Sequence, residues 1–212
     1  MAKNMDFMEQ FQRPTGKKGK LVAALMNTSH KALTTWGLTH VEIAPDYVIL
    51  DVGCGGGKTI NRLAKQAPQG KVYGIDHSPD MVKYAKKVNE KFINQNRVEI
   101  VEGKVEKTNF PDKFFDLVTA CETYYFWSSL PNAFKEIERI LKPNGKLLMV
   151  NEMIKDGIFE QEKADLIQKT HVKLFTLDQI SDWIKTAGFS KVEVYKKENS
   201  PWNTFLAQKT PV

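Results

Sequence analysis

Three glycines stand at alternate positions in ILDVGCGGGKTI, residues 49 to 60: Gly53, Gly55 and Gly57, followed at once by Lys58 and Thr59. A glycine lets backbone approach a ligand that a Cβ would hold off, and Gly-Lys-Thr closes the phosphate-gripping loop of many nucleotide-binding proteins. That loop needs a further glycine five positions before Gly57, and the residue there is Val52. A dinucleotide fingerprint, G-x-G-x-x-G, is met by Gly53 and Gly55, but Lys58 occupies its third glycine place. The dinucleotide fingerprint and the G-x-G-x-G run that stands here both expect an acid at the end of the next strand to bond ribose hydroxyls. Asp76, at the end of VYGID and nineteen residues beyond Gly57, supplies one. A plain tight turn is the bland alternative, although three alternate glycines cost more backbone entropy than a turn requires.

A second stretch with chemistry is CETYYFW, residues 121 to 127. Glu122 has the type to take a proton or to bind a cation, and Tyr124, Tyr125 and Trp127 have ring faces that wall a pocket and attract positive charge. The competing reading is an aromatic cluster packed beneath the helix that begins near Pro131. The four histidines are His30, His40, His77 and His171. His30 and His171 are base candidates at physiological pH. No histidine pair has zinc-ligand spacing, and Cys54 and Cys121 cannot complete a structural site, so no metal is expected. Cys54, with no neighbouring cation in sequence, reads as a small side chain packed under the turn.

The elements that must position these groups alternate from Tyr47 onward. YVILDVG, KTINRLAKQA, KVYGIDH, SPDMVKYAKKVNEKFINQ and VEIVEG form a βαβαβ series, continued by FFDLVTACET, LPNAFKEIERILKPNG and KLLMVNEM. Such alternation predicts a mostly parallel sheet with helices on both faces. Ser78 before Pro79 predicts a capped helix start, and Asn144-Gly145 a helix end before strand five. GIFEQEKADLIQKTHVKL and TLDQISDWIKTAGF read as helices, the second capped by Thr176 and stopped by Gly188. KVEVYKK and WNTFLAQK, joined by ENSP, predict an antiparallel hairpin. The first 40 or so residues read as two short helices ahead of the main fold, with Met26, Asn27, His30, Leu33 and Trp36 placed to close over a cleft.

With 212 residues and 42% hydrophobic content, the chain suits one buried domain with small appendages. Two cysteines and no signal-like N-terminus point to a reducing compartment, taken as the cytoplasm. No apolar run approaches the roughly 20 residues of a membrane span. The net charge of +6 is scattered lysine interleaved with acids, which argues against nucleic acid as the partner.

Taken together, VILDVGCGGGKTINRLAK, VYGIDHSPDMVKYAKK, FFDLVTACETYYF, ILKPNGKLLMVNEM and LDQISDWIKTAGF resemble the class I S-adenosylmethionine-dependent methyltransferases, in the broad branch that includes the quinone-biosynthesis C-methyltransferases. The resemblance runs over roughly residues 40 to 210. It implies a Rossmann-like seven-stranded mixed sheet whose last strand is antiparallel, with an N-terminal helical cap over 1–40 and the methyltransferase unit over 41–212. It also implies S-adenosylmethionine as cofactor and S-adenosylhomocysteine as product. On the family pattern, Asp51, Gly53, Gly55 and Gly57 hold the amino-acid end with the Cys121 backbone, Asp76 and His77 the ribose, and Met81, Lys104 and Val105 the adenine. Lys104 stands where the family usually carries an acid, and a lysine cannot accept the adenine amino hydrogen bond. That contact would pass to the Val105 backbone or to Glu106. Glu122, Tyr124, Tyr125 and His171 are the expected catalytic or acceptor-contacting residues. The expected activity is methyl transfer to a small molecule by a monomer or homodimer. Two alternatives stand beside it: an RNA or protein methyltransferase, and a non-catalytic adenosylmethionine-binding module.

Overall fold

A computed structural model describes Gly16, residues 30–157, Gln161, Ala164, Ile167, Gln168 and residues 172–211. Seven strands form one sheet: β1 Val48–Val52, β2 Lys71–Asp76, β3 Val98–Glu102, β4 Phe115–Cys121, β5 Leu141–Asn151, β6 Phe189–Lys196 and β7 Asn203–Lys209. Their order is β3-β2-β1-β4-β5-β7-β6. The first five run parallel, and β7 lies antiparallel between β5 and β6. This is the predicted Rossmann-like mixed sheet, with the closing hairpin supplying the inserted last strand.

Alternation along each strand explains why both faces are covered. Ile49, Leu117, Leu148 and Val150 enter one apolar cluster, whereas Leu50, Val118, Leu147 and Met149 enter the other. Strands buried on both sides read as continuous apolar runs, as YVILDV and KLLMV do. Helix α1 (Lys31–Leu38) packs on the first face with α2 (Lys58–Gln66), α3 (Pro79–Val88) and the short α4 (Glu90–Asn94). Helices α5 (Leu130–Ile140) and α6 (Leu177–Thr186) cover the second. On α5 the buried set is Leu130, Ala133, Phe134, Ile137 and Ile140, the stripe expected of a helix with one face on a sheet. Each large aliphatic or aromatic side chain so buried is worth about 2–3 kcal/mol of transfer free energy.

Local punctuation follows the sequence with one correction. The Ser78 hydroxyl accepts from the Met81 amide with Pro79 at the first helical position, and Thr176 forms a reciprocal capping box with Gln179. Helix α5, however, stops at Ile140, four residues before Asn144-Gly145. Leu141 already pairs with Phe115, and the register slips between Phe115 and Leu117. Pro143 disfavours helical backbone at Lys142, so the chain leaves the helix early and Asn144, at φ 63°, makes its turn inside the strand segment. The first of the two N-terminal helices and most of the predicted helix in 157–174 lie outside the described residues. The helix that is described there, α1, is seated directly on the sheet: a Cβ on Gly37 would meet Val150 Cγ2 at 2.3 Å.

Candidate active site

The strand order reverses direction between β1 and β4, and at such a switch point the loops beyond the strands' carboxyl ends splay apart to leave a crevice. A cleft of about 550 Å³ occupies this place. Its floor is the glycine loop between β1 and α2. Gly53 and Cys54 both donate to the Ile75 carbonyl, at 2.8 and 3.1 Å, tying the loop to β2. Gly53, Gly55 and Gly57 have φ of 63, 47 and 74°, so all three alternate glycines sit in the left-handed region.

Their surroundings differ. A Cβ on Gly53 would stand 2.2 Å from Thr123 Oγ1, at the end of β4, and one on Gly57 would meet Asn89 Nδ2 at 2.6 Å and Ala85 Cβ at 2.9 Å. At Gly55 the nearest atom is the Gly53 carbonyl oxygen at 3.9 Å, so this position opens into the cleft. Gly53 and Gly55 line the cleft and Gly57 does not. The expectation that Gly57 approaches a ligand is therefore corrected. It packs α2 against the α3–α4 junction, where the buried Asn89 amide donates to the Gly57 carbonyl at 2.9 Å.

Among the described residues four carboxylates line the cleft, and each is held. Thr119 Oγ1 donates to Asp51 at 2.7 Å across the β1–β4 pair. Burial drives the Asp51 pKa up to about 7, against the lowering effect of the Thr119 bond. Asp76 accepts the Gly55 amide on one oxygen at 2.8 Å and the Ser78 amide on the other at 2.9 Å, with His77 Nδ1 at 3.8 Å. Glu106 accepts the Ser128 hydroxyl at 2.7 Å and the Ser128 and Ser129 amides, fastening the loop after β3 to the start of α5. Glu122, at φ 55°, accepts the Tyr125 hydroxyl at 2.7 Å and the Glu152 amide. Burial raises its pKa to about 7.

The cleft brings together Asp51, Gly53, Gly55, Asp76, His77, Met81, Lys104, Val105, Cys121, Glu122 and Tyr125 of the residues singled out from sequence. Among the described site candidates, Tyr124 joins Gly57 in not lining it. It is fully buried, and its hydroxyl donates to the Met153 carbonyl at 2.7 Å. A 3-10 turn spans Tyr124–Phe126. With about three residues per turn, successive side chains diverge by roughly 120°, so Tyr124 enters the core while Tyr125 and Phe126 face the cleft. His171 lies outside the described residues. Cys54 and Cys121 are unpaired, and burial pushes both thiols well above the ordinary range. Among the described residues no group of three His, Cys, Asp or Glu side chains could hold a metal ion.

Sequence reasoning passed over several lining residues: Thr34, Thr59, Arg62, Thr123 and Lys173. Two pairs carried a signal. His30 with Thr34, and Lys58 with Arg62, are spaced i, i+4, so each pair shares a helix face and both reach the cleft.

A cofactor with a ribose fits this site on its own terms. The cleft offers an oriented carboxylate at Asp76, an open cradle at Gly55 and the buried Met81 side chain at one wall. Comparison with known proteins agrees. Residues 50–149 match the family model described as a methyltransferase domain. An uncharacterized methyltransferase, YdaC of Bacillus subtilis, is 28% identical over 178 residues, covering 84% of this chain and 90% of its own.

Family model, relatives and fold together support a class I S-adenosylmethionine-dependent methyltransferase.

Two solved structures show how far the methyltransferase fold is shared. A Haloferax volcanii methyltransferase, solved in complex with the Trm112 methyltransferase activator, superposes with a TM-score of 0.77 at 16% identity, over 97% of this chain and 98% of that one. Haemonchus contortus phosphoethanolamine N-methyltransferase 2, bound to phosphomonomethylethanolamine and S-adenosylhomocysteine, superposes with a TM-score of 0.69 at 19% identity, over 84% of this chain and 52% of that one. Other curated relatives are named for malonyl-[acyl-carrier protein], sterol and phosphoethanolamine methylation, and this methyltransferase spans only 30 to 58% of their length.

Proposed function

We propose that this methyltransferase transfers a methyl group in line to a small-molecule acceptor. S-adenosylmethionine supplies an electrophilic methyl carbon on a positive sulfur, so the chain's own work is to bind, align and exclude water. In this reading Asp76, already oriented by two amides, uses its remaining lone pairs for the ribose hydroxyls. His77 flanks the ribose, Met81 and Val105 cover the adenine, and Lys104 sits at that rim. Asp51, Gly53, Gly55 and the Cys121 backbone take the amino-acid end. Glu106, spent on Ser128 and Ser129, positions this wall and leaves the adenine amino group to backbone near Val105.

The observation that carries the small-molecule reading is the shape of the far end of the cleft. Glu122 there accepts the Tyr125 hydroxyl and has His30 of the α1 region at 4.0 Å, and Phe126, Trp127 and Thr34 also line the cleft. The whole cleft, at about 550 Å³, lies within the ~300–1,000 Å³ of ordinary small-molecule sites. Residues 1–40 act as a cap in this reading. Gly16 donates its amide to Asp80 at 2.9 Å, beside Met81, and α1 contributes at the Glu122 end. The two unpaired cysteines suit a reducing cytoplasm. No helix among the described residues is long and apolar enough to cross a membrane.

The test is transfer of labelled methyl from S-adenosylmethionine into separate metabolite, RNA and protein fractions. Label in the metabolite fraction is the expected result. Label confined to RNA, with binding that weakens steeply as salt rises, would replace this reading. A second reading has one observation in its favour, the nearly full-length similarity to a methyltransferase solved with an activator protein. Under it, the isolated chain would be inactive until a small partner subunit is restored from lysate.

A further inference from the structure

Two side chains from distant parts of the sequence meet at the acceptor end of the cleft. His30 stands just before α1 with its side chain 28% exposed, and its Nε2 lies 4.0 Å from Glu122 Oε2. Both line the cleft. The same Glu122 oxygen accepts the Tyr125 hydroxyl at 2.7 Å, and its other oxygen accepts the Glu152 amide. A purely structural acceptor at this place would be served as well by an amide side chain, without burying an ionisable group. The backbone of Glu122 adds a second oddity. A φ of 55° at a residue other than glycine is strained, and strain of this kind gathers where a side chain must be aimed.

We propose that His30 and Glu122 form a proton-accepting pair, and that the acceptor is a neutral molecule whose reacting oxygen or nitrogen still carries hydrogen. This deepens the methyl-transfer reading and rests on it. In the step, the acceptor lone pair forms the new bond to the methyl carbon as the carbon–sulfur bond breaks and its electron pair stays on sulfur. The proton leaves the acceptor atom for the pair and reaches solvent through the exposed part of His30. An acceptor that arrives as a carboxylate or phosphate anion has no such proton to lose and needs no pair.

Electrostatics suit the task. Burial lowers the affinity of His30 for a proton and raises the Glu122 pKa to about 7, so ionised carboxylate is available to take a proton near neutrality. The charged and titratable neighbours are Cys121 on β4, Tyr125 in the 3-10 turn with Tyr124 behind it, Glu152 after β5, Asp51 on β1, Arg62 on α2 and Lys173 before α6. Glu152 raises the Glu122 pKa further, in the same direction as burial.

The test follows the imidazole signals of the intact chain by NMR from about pH 5 to 9, with S-adenosylhomocysteine bound. His30→Gln assigns the signal among the four histidines. The wild-type His30 signal should carry a second inflection near pH 7, where Glu122, 4.0 Å away, gains or loses its charge, and Glu122→Gln should remove it. A titration curve unchanged in Glu122→Gln overturns the proposal. This arm needs no known acceptor. In the second arm, His30→Gln and His30→Ala should lower label transfer into a metabolite extract about tenfold or more at pH 7. The deficit should shrink as pH rises, with S-adenosylhomocysteine affinity unchanged by calorimetry. Full transfer with an unaltered pH profile in both variants also overturns it. A wild-type chain that binds no S-adenosylmethionine fails differently, since it sinks the parent reading; binding and transfer without coupling sink the pair alone.

Discussion

Gly53, Gly55 and Gly57 share a backbone conformation and differ in what surrounds them, so their substitutions should separate binding from stability. Gly55→Ala meets no obstacle and should cost only about 1 kcal/mol of left-handed strain. Its methyl would intrude on the ligand, so calorimetry should show S-adenosylhomocysteine affinity falling at least tenfold while the urea midpoint barely moves. Gly57→Ala should act chiefly on stability. The methyl collides with Asn89 and Ala85, and a loss of about 2–4 kcal/mol is expected from strain and overpacking together. Equal affinity losses with equal stability losses in both variants would refute the separation.

Asp51 carries a pH prediction. Its carboxyl titrates at about 7 in the folded chain against an ordinary value of 3.8. Between those values the folded form holds a proton that the unfolded form has released. The stabilisation is thus complete below about pH 4 and is lost as pH rises through 7, and Glu122 acts in the same direction. Urea midpoints of the ligand-free protein should fall between about pH 4 and 7. Asp51→Asn should flatten that fall and bind S-adenosylmethionine more weakly. A midpoint that climbs with pH in the wild type would contradict the assignment.

At the scale of elements, one buried amide couples three of them. The Asn89 side chain donates to the Gly57 carbonyl at 2.9 Å and to the Ala85 carbonyl at 3.0 Å, and lies 3.4 Å from Asn61. It joins the last turn of α3 to the first turn of α2, and the glycine loop hangs from that turn. Asn89→Ala should cost about 1–3 kcal/mol, since two hydrogen bonds from a buried side-chain amide are lost although each carbonyl keeps a backbone donor. It should also weaken the cofactor without touching the cleft. Chemical denaturation with and without S-adenosylhomocysteine measures both effects. Thr176→Ala, by contrast, removes only the α6 capping box and should cost about 1 kcal/mol, with affinity unaltered.

For the whole molecule, a ligand bound only by the folded form raises stability by mass action. At about a hundred times its dissociation constant the gain is ~2.7 kcal/mol, which in a domain of this size moves the thermal midpoint by about 5–10 °C. S-adenosylhomocysteine should produce such a shift in a thermal melt. NAD should produce none, because the glycine loop lacks the third fingerprint glycine. The reverse pattern would undo the cofactor assignment.

The sheet was legible because strands buried on both faces must be continuously apolar, and the helices between them must be amphipathic. Those periodicities are local, so YVILDV and INRLAK declare themselves without a partner. Asp76 and the glycines were legible for a related reason, since ligand-bearing turns sit at fixed places in a strand–turn–helix unit. Helix ends were less so: α5 was read four residues too long, because strand pairing at Leu141 competes with helix continuation and only the sheet decides.

What the sequence by itself determined is the order of elements, the ligand-bearing loop and the acid nineteen residues beyond it, all of which depend on neighbours along the chain. Tertiary structure alone decided which side chains share the cleft. The 3-10 turn sends Tyr124 into the core and Tyr125 toward Glu122, Asn89 makes Gly57 a packing residue, and the docking of α1 on the sheet brings His30 to Glu122 across ninety-two positions of sequence. Side-chain direction and long-range contact are set by packing against distant segments, and no local period encodes them.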